Sequence, residues 1–201
     1  MIKNIIFDIG EVLLGYRWKA MFMENGLTED EADRVGEVMF GDSLWNTLDL
    51  GELAVEDIIN GYQKKYPDQA KNIAWFLENG EKMHVARKEV WDKIPKLKEK
   101  GYKIYLLSNY SEDLFKKHTA DASFMKEVDG MVVSYQVHIT KPDKRIYHHL
   151  LNKYNLKPEE CIFFDDRAEN TEAARQIGIE SVTISSSSQL LNLLERMIYS
   201  S

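Results

Sequence analysis

The chain opens Met1-Ile2-Lys3-Asn4-Ile5-Ile6-Phe7-Asp8-Ile9-Gly10-Glu11-Val12, a short apolar run that stops on a carboxylate. The same grammar returns at Cys161-Ile162-Phe163-Phe164-Asp165-Asp166 and at Ile104-Tyr105-Leu106-Leu107-Ser108-Asn109. Runs of four to eight apolar residues closed by polar residues read as buried strands. Residues 2–8, 103–108, 130–135, 161–165 and 181–185 fit that description. Between the later ones lie helical patterns at 112–118, 143–154 and 167–177, and Gly101 and Gly178 stand where helices stop. Strands alternating with helices imply a parallel sheet covered on both faces, so the expected fold class is α/β with a Rossmann-like core. Pro95 is read as the start of a new helical segment.

Residues 15–87 break the alternation. No convincing strand is present there, but helical pieces are expected near 18–25, 29–40, 55–66 and 68–80, with Pro67 separating the last two. Thr28 and Glu31 have the spacing of a capping box. The expected organisation is a core of residues 1–14 and 88–201 and an all-helical cap of residues 15–87, acting as a lid. The serine tract 185–188 reads as a loop before a final helix, 189–199, whose Leu190, Leu191, Leu194 and Ile198 are expected to dock on the core.

With 201 residues, 44% of them hydrophobic, the chain can bury one substantial core. A net charge of −7 argues against general nucleic-acid binding. No apolar run approaches roughly eighteen residues, so no membrane partner is expected. The apolar stretch at the start is too short for a signal peptide, and a cytoplasmic protein, monomer or homodimer, is the expectation. Cys161 is the sole cysteine and reads as a buried strand thiol. The five histidines are scattered without zinc spacing.

In an open parallel sheet, ligands bind beyond the carboxyl ends of the strands. Asp8, Ser108 and Asp165-Asp166 fall at such ends, and Lys141-Pro142 lies in a later loop. Each alone has a bland reading as a helix cap, turn or surface charge. Together they form a set suited to phosphoryl transfer. Three carboxylates at one edge repel one another and need a cation, and hard oxygen ligands suit Mg²⁺. Ser108, Asn109 and Lys141 are candidates to hold phosphate oxygens, with Lys141 adding charge for nucleophile and transferring group.

These motifs resemble those of the haloacid dehalogenase (HAD) superfamily over essentially the whole chain. They are Phe7-Asp8-Ile9-Gly10-Glu11-Val12, Leu107-Ser108-Asn109, Lys141-Pro142 and the run from Phe164 to Asn170. The insert is similar to the helical cap of one large subgroup, and the likeness is nearest to a bacterial branch that includes a glucose-1-phosphate phosphatase. The resemblance implies Asp8 as nucleophile, the Gly10 carbonyl and Asp166 as metal ligands, and Asp165 as a direct or water-mediated ligand. It implies a Mg²⁺-dependent phosphatase for a small phosphorylated metabolite, a sugar phosphate above others, working through an aspartyl-phosphate.

One departure stands out. Most phosphatases of the superfamily carry a second aspartate two residues after the nucleophile, where this chain has Gly10. Glu11 or water could replace it, the leaving group could be a good one, or the protein could bind phosphometabolites with little turnover. A metal-independent dehalogenase is a further alternative, although it would leave the adjacent carboxylates unexplained. Arg17, Trp18 and Trp45 are the specificity candidates: an arginine for phosphate or hydroxyls, indoles for a sugar face.

Overall fold

Asn4–Phe7 is buried along its full length, as a strand with neighbours on both edges must be. In the computed structural model, which describes residues 1–199, it is the central strand β1 of a five-stranded sheet. A two-stranded ribbon stands beside that sheet. In chain order the other strands are β2 (Leu14–Tyr16), β3 (His84–Ala86), β4 (Lys103–Ser108), β5 (Gly130–Val133), β6 (Cys161–Asp165) and β7 (Glu180–Thr183). The large sheet runs β5-β4-β1-β6-β7, and all of its pairs are parallel. Phe7 lies opposite Leu106 on one side and Phe164 on the other. That register brings the residues just past β1, at the end of β4 and at the end of β6 to one edge.

Side-chain alternation sorts the core into two faces. Ile5, Phe7, Ile104, Leu106, Ile162 and Phe164 face one apolar cluster; Ile6, Tyr105, Leu107, Cys161 and Phe163 face the other. The helices are α1 (Trp18–Glu24), α2 (Glu29–Gly41), α3 (Ser43–Leu50), α4 (Val55–Lys65), α5 (Ala70–Glu78), α6 (Lys88–Trp91), α7 (Ile94–Glu99), α8 (Glu112–Thr119), α9 (Ser134–Val137), α10 (Lys144–Tyr154), α11 (Ala168–Arg175) and α12 (Ser187–Tyr199). The second face packs on α10 and α11. The first meets α6, α7 and α12 and continues without a break into residues of α1–α5. Leu190, Leu194 and Ile198 are buried on this face, and Leu191 is half-buried. No helix among the described residues is long and apolar enough to cross a membrane.

The capping box forms: Glu31 N–H donates to Thr28 Oγ1 (3.3 Å), and Thr28 N–H to Glu31 Oε2 (2.7 Å). Pro95 sits in the first turn of α7, as its fixed φ allows. Cys161 is a free thiol, and burial pushes it up to about 11.

Three local expectations need correction. The insert is not strand-free at its ends, because β2 and β3 pair antiparallel, Leu14 with Ala86 and Tyr16 with His84. Three-residue strands roughly seventy positions apart leave no periodicity to read. Residues 43–50, outside the helical pieces expected of the insert, are a helix: the Asp42 carboxylate accepts Leu44 N–H (3.0 Å), and Gly51 closes α3 at φ 68°. The last helix starts at Ser187, within the serine tract.

Candidate active site

Asp8 leaves β1 with its N–H donated to the Phe164 carbonyl at 2.9 Å, which continues the sheet register one residue further. Its Oδ1 accepts from the Ser108 hydroxyl (2.5 Å) and the Ile9 N–H (2.7 Å), and it lies 3.0 Å from Lys141 Nζ. Among the described residues no donor bonds Oδ2, which leaves one carboxylate oxygen for chemistry in the cleft. Burial raises the Asp8 carboxyl to about 6; Lys141 and Ser108 oppose the rise and Asp165 adds to it.

Lys141 is buried and spends its three ammonium hydrogens on Asp165 Oδ2 (2.6 Å), Asp8 Oδ1 (3.0 Å) and the Leu107 carbonyl (3.0 Å). Burial alone would lower its pKa, but Asp165 and Asp8 outweigh that and raise it. The Asn109 side chain positions this lysine: Oδ1 accepts Lys141 N–H at 2.8 Å, and Nδ2 donates to the Lys141 carbonyl at 3.0 Å. The peptide between Lys141 and Pro142 is cis. Ser108 and Asn109 therefore contact the nucleophile and the lysine loop through their side chains, and only Asn109 of the two lines the cleft.

Asp165, at the end of β6, is fully buried; its Oδ1 accepts from Arg167 N–H (2.8 Å) and Asn170 Nδ2 (2.9 Å). Asp166 is half-buried and lines the cleft. Burial, then Asp8 and Asp165, push it up to about 7 against the pull of Lys141. One oxygen from each of Asp8, Asp165 and Asp166 lies within 4.8 Å of the others. A triad of anions balanced by a single lysine is short of positive charge, and a hard divalent cation fits that donor set. Asn170 Oδ1 adds to the fit, since it is a buried oxygen beside the triad with no partner among the described residues.

The cleft above these groups has a volume of about 680 Å³ and is walled from the insert by Tyr16, Trp18, Phe40, Trp45 and Asp49. Trp18 and Trp45 meet Phe40 edge-on, with centroids 5.4 and 4.7 Å away. Gly36 leaves room for this wall, as a Cβ there would fall 2.5 Å from the Trp18 ring. Arg17 does not line the cleft; its guanidinium pairs with Glu24 at the far end of α1. Glu11 reaches the rim but is already committed: Oε2 is 2.5 Å from Arg87 Nη2, and Oε1 accepts Tyr16 N–H at 2.9 Å.

Gly10 has a steric reason. A Cβ on it would lie 2.5 Å from the Tyr16 hydroxyl and 3.0 Å from Cζ, so the phenol ring fills the space of a side chain at this position. Tyr110, two residues past Ser108, packs beside Tyr16 and bonds His118 Nδ1 at 2.7 Å. Tyr110, Asp49 and the Arg87 clasp carry no motif of their own. The only local hints were Asp42 and Gly51 bracketing the helix that bears Asp49.

The profile of haloacid dehalogenase-like hydrolases matches residues 2–178. The D-ribitol-5-phosphate phosphatase of Bacteroides thetaiotaomicron is 27% identical over 195 residues, covering 90% of this chain and 91% of that protein. Drimenol cyclase of Aspergillus calidoustus is 25% identical over 185 residues, 90% of this chain, but the chain spans only 34% of that longer protein. A solved HAD family enzyme of B. thetaiotaomicron, complexed with magnesium and inorganic phosphate, superposes with a TM-score of 0.72 at 22% identity. That match covers 92% of this chain and 96% of the other. With the profile spanning most of its length and the parallel sheet ordered as described, the chain belongs to the haloacid dehalogenase-like hydrolase family.

Proposed function

We propose that the chain is a Mg²⁺-dependent phosphatase acting on a small phosphorylated metabolite, a sugar or polyol phosphate, through an aspartyl-phosphate on Asp8. The observation that carries this reading is the meeting of Asp8, Asp165 and Asp166 within 4.8 Å beside a lysine bonded to two of them. The phosphatase relative that aligns along nearly its whole length supports it. Asp165, Asp166, Asp8 and the Gly10 carbonyl would hold the cation, which supplies charge neutralisation between carboxylate and phosphate. Asp8 Oδ2 attacks phosphorus while Ser108, Ile9 N–H and Lys141 hold Oδ1. Lys141, kept in place by the Asn109 clasp, stabilises the charge that builds on the transferring group. Residues 15–87 act as the cap, and the aromatic wall with Trp18 and Trp45 takes the sugar or polyol.

Phosphate release from ribitol 5-phosphate, glucose 1-phosphate and p-nitrophenyl phosphate tests this, with Mg²⁺ or with chelator, for the unaltered chain and Asp8→Asn. Release that requires both the cation and Asp8 is expected. Release that persists in Asp8→Asn, or none from any ester by the folded unaltered chain, overturns the reading.

A further inference from the structure

Five carboxylates line the cleft: Asp8, Glu11, Asp42, Asp49 and Asp166. Four have an evident occupation. Asp8 and Asp166 belong to the triad. Glu11 is tied at both oxygens to Arg87 and the Tyr16 amide. Asp42 pairs with Lys65 and accepts the Tyr66 hydroxyl at 2.7 Å. Burial would raise the Asp42 carboxyl, but those partners and the Leu44 amide hold it down at about 2. Asp49 is left, on the last turn of α3, with no ion pair among the described residues and only the Ser111 amide to hold its carboxylate.

We infer that Asp49, carried into the cleft by the helical insert, is the group that protonates the leaving oxygen and then deprotonates the attacking water. This deepens the phosphatase reading above and rests on it. The Tyr16 ring bars a side chain at Gly10, so a carboxylate for proton transfer has to come from another wall. Burial, Tyr110 and the nearby Asp8 and Asp49 hold the Tyr16 phenol well above its ordinary value, which makes it a donor and no base.

Asp49 is also held in place by the core. The buried Ser134 hydroxyl donates to the Asp49 carbonyl at 2.6 Å, and the same oxygen accepts Tyr110 N–H at 2.9 Å. One residue on, the Leu50 carbonyl is 2.8 Å from His138 Nδ1. Gly51 then turns at φ 68° where a Cβ would come within 3.0 Å of Tyr135 Cβ. Asp49 and Leu50 are thus bonded to the segment after β5, Gly51 packs against it, and Tyr110 ties it to the loop that follows Ser108. The charged groups facing Asp49 are Asp8, Lys141 and Arg167, with the Ser111 N–H beside it. Burial and Asp8 raise its carboxyl to about 7, between the acid and base roles at neutral pH.

The proton balance closes. Asp8 Oδ2 forms a bond to phosphorus as the ester P–O bond breaks, and the departing oxygen takes the Asp49 proton to leave as an alcohol. Asp49, now ionised, takes a proton from water as the water oxygen attacks phosphorus. The bond from phosphorus to Asp8 breaks, inorganic phosphate leaves, and both carboxyl groups are restored.

Rapid-mix kinetics of Asp49→Asn on p-nitrophenyl phosphate with Mg²⁺ tests the proposal, with Asp49→Glu as the conservative control and thermal melts to check folding. Nitrophenolate needs no proton to leave, so the first step survives. A burst of about one nitrophenolate per chain followed by turnover slowed about 10²–10⁴-fold is expected. Asp49→Glu is expected to recover part of the steady rate. Unchanged steady turnover in Asp49→Asn overturns the proposal, as does slow turnover without a burst, which would mark a structural loss. An unaltered chain that releases no phosphate overturns the phosphatase reading as well.

Discussion

The guanidinium of Arg87 holds Glu11 at two points, the carboxylate at 2.5 Å from Nη2 and the main-chain carbonyl through Nη1. Glu11 adopts φ 52°, a left-handed conformation that a residue with a side chain rarely takes. The clasp joins the loop after the nucleophile to the strand that returns from the helical insert. Arg87→Ala is expected to cost about 1–2 kcal/mol, since Glu11 is partly exposed and solvent weakens the pair. Urea unfolding measures it, and an unchanged midpoint would show that the clasp is idle.

Gly10 and Tyr16 are expected to be coupled. Gly10→Asp alone pushes a Cβ to 2.5 Å from the phenol oxygen and should destabilise by about 1–3 kcal/mol. Combining it with Tyr16→Ala should cost less than the two single changes added together. A double-mutant cycle on unfolding free energy reads the difference, and strict additivity would refute the steric account.

Lys141→Met removes the only ammonium that, among the described residues, is bonded to Asp8 and Asp165, and leaves both carboxylates buried. A loss of about 3–5 kcal/mol is expected, together with loss of phosphate release. With the lysine gone, the Asp8 carboxyl rises further above its unfolded value. The defect should therefore shrink as pH falls and protonation neutralises it. Denaturation midpoints at pH 5 and pH 8 test the sign; a defect that grows on acidification contradicts it.

Metal dependence should itself depend on pH. Asp8 at about 6 and Asp166 at about 7 both exceed the ordinary 3.8, so the folded chain binds more protons than the unfolded one between those limits. Their contribution to stability is present below pH 4 and is lost as pH rises through 6 to 7. His118, lowered to about 4 by burial, works in the opposite direction between about 4 and 6.5. The informative quantity is therefore the rise in Tm on adding Mg²⁺, which should be larger at pH 8 than at pH 5. Equal rises at both values would show that the cation does not compete with these protons.

What could be read before the fold was known followed from local grammar. Asp8, Ser108 and Asp165 each terminate an apolar run, and parallel pairing of such runs in register delivers them to one edge. The Thr28–Glu31 box and the Pro95 helix start were legible for the same reason, since every partner lies within a turn. What stayed hidden depends on pairings that reach beyond a single turn. Glu11 looked like a free acid because Arg87 is 76 residues away, and Arg17 looked available because nothing marked its pairing with Glu24. Asp49 carries no motif, and the Ser134 bond that fixes its peptide spans 85 residues. The reason for Gly10 lies in the Tyr16 ring packed against it, which no local pattern marks.

The short ribbon joining Leu14–Tyr16 to His84–Ala86 means that the insert leaves and re-enters the core at neighbouring points. A loop whose ends are already stitched together can lengthen or shorten cheaply, with each doubling adding only about 0.6 kcal/mol of closure entropy. The helices above the stitch are thus a replaceable part, free to be traded for others over evolutionary time while the acidic edge beneath them keeps its shape.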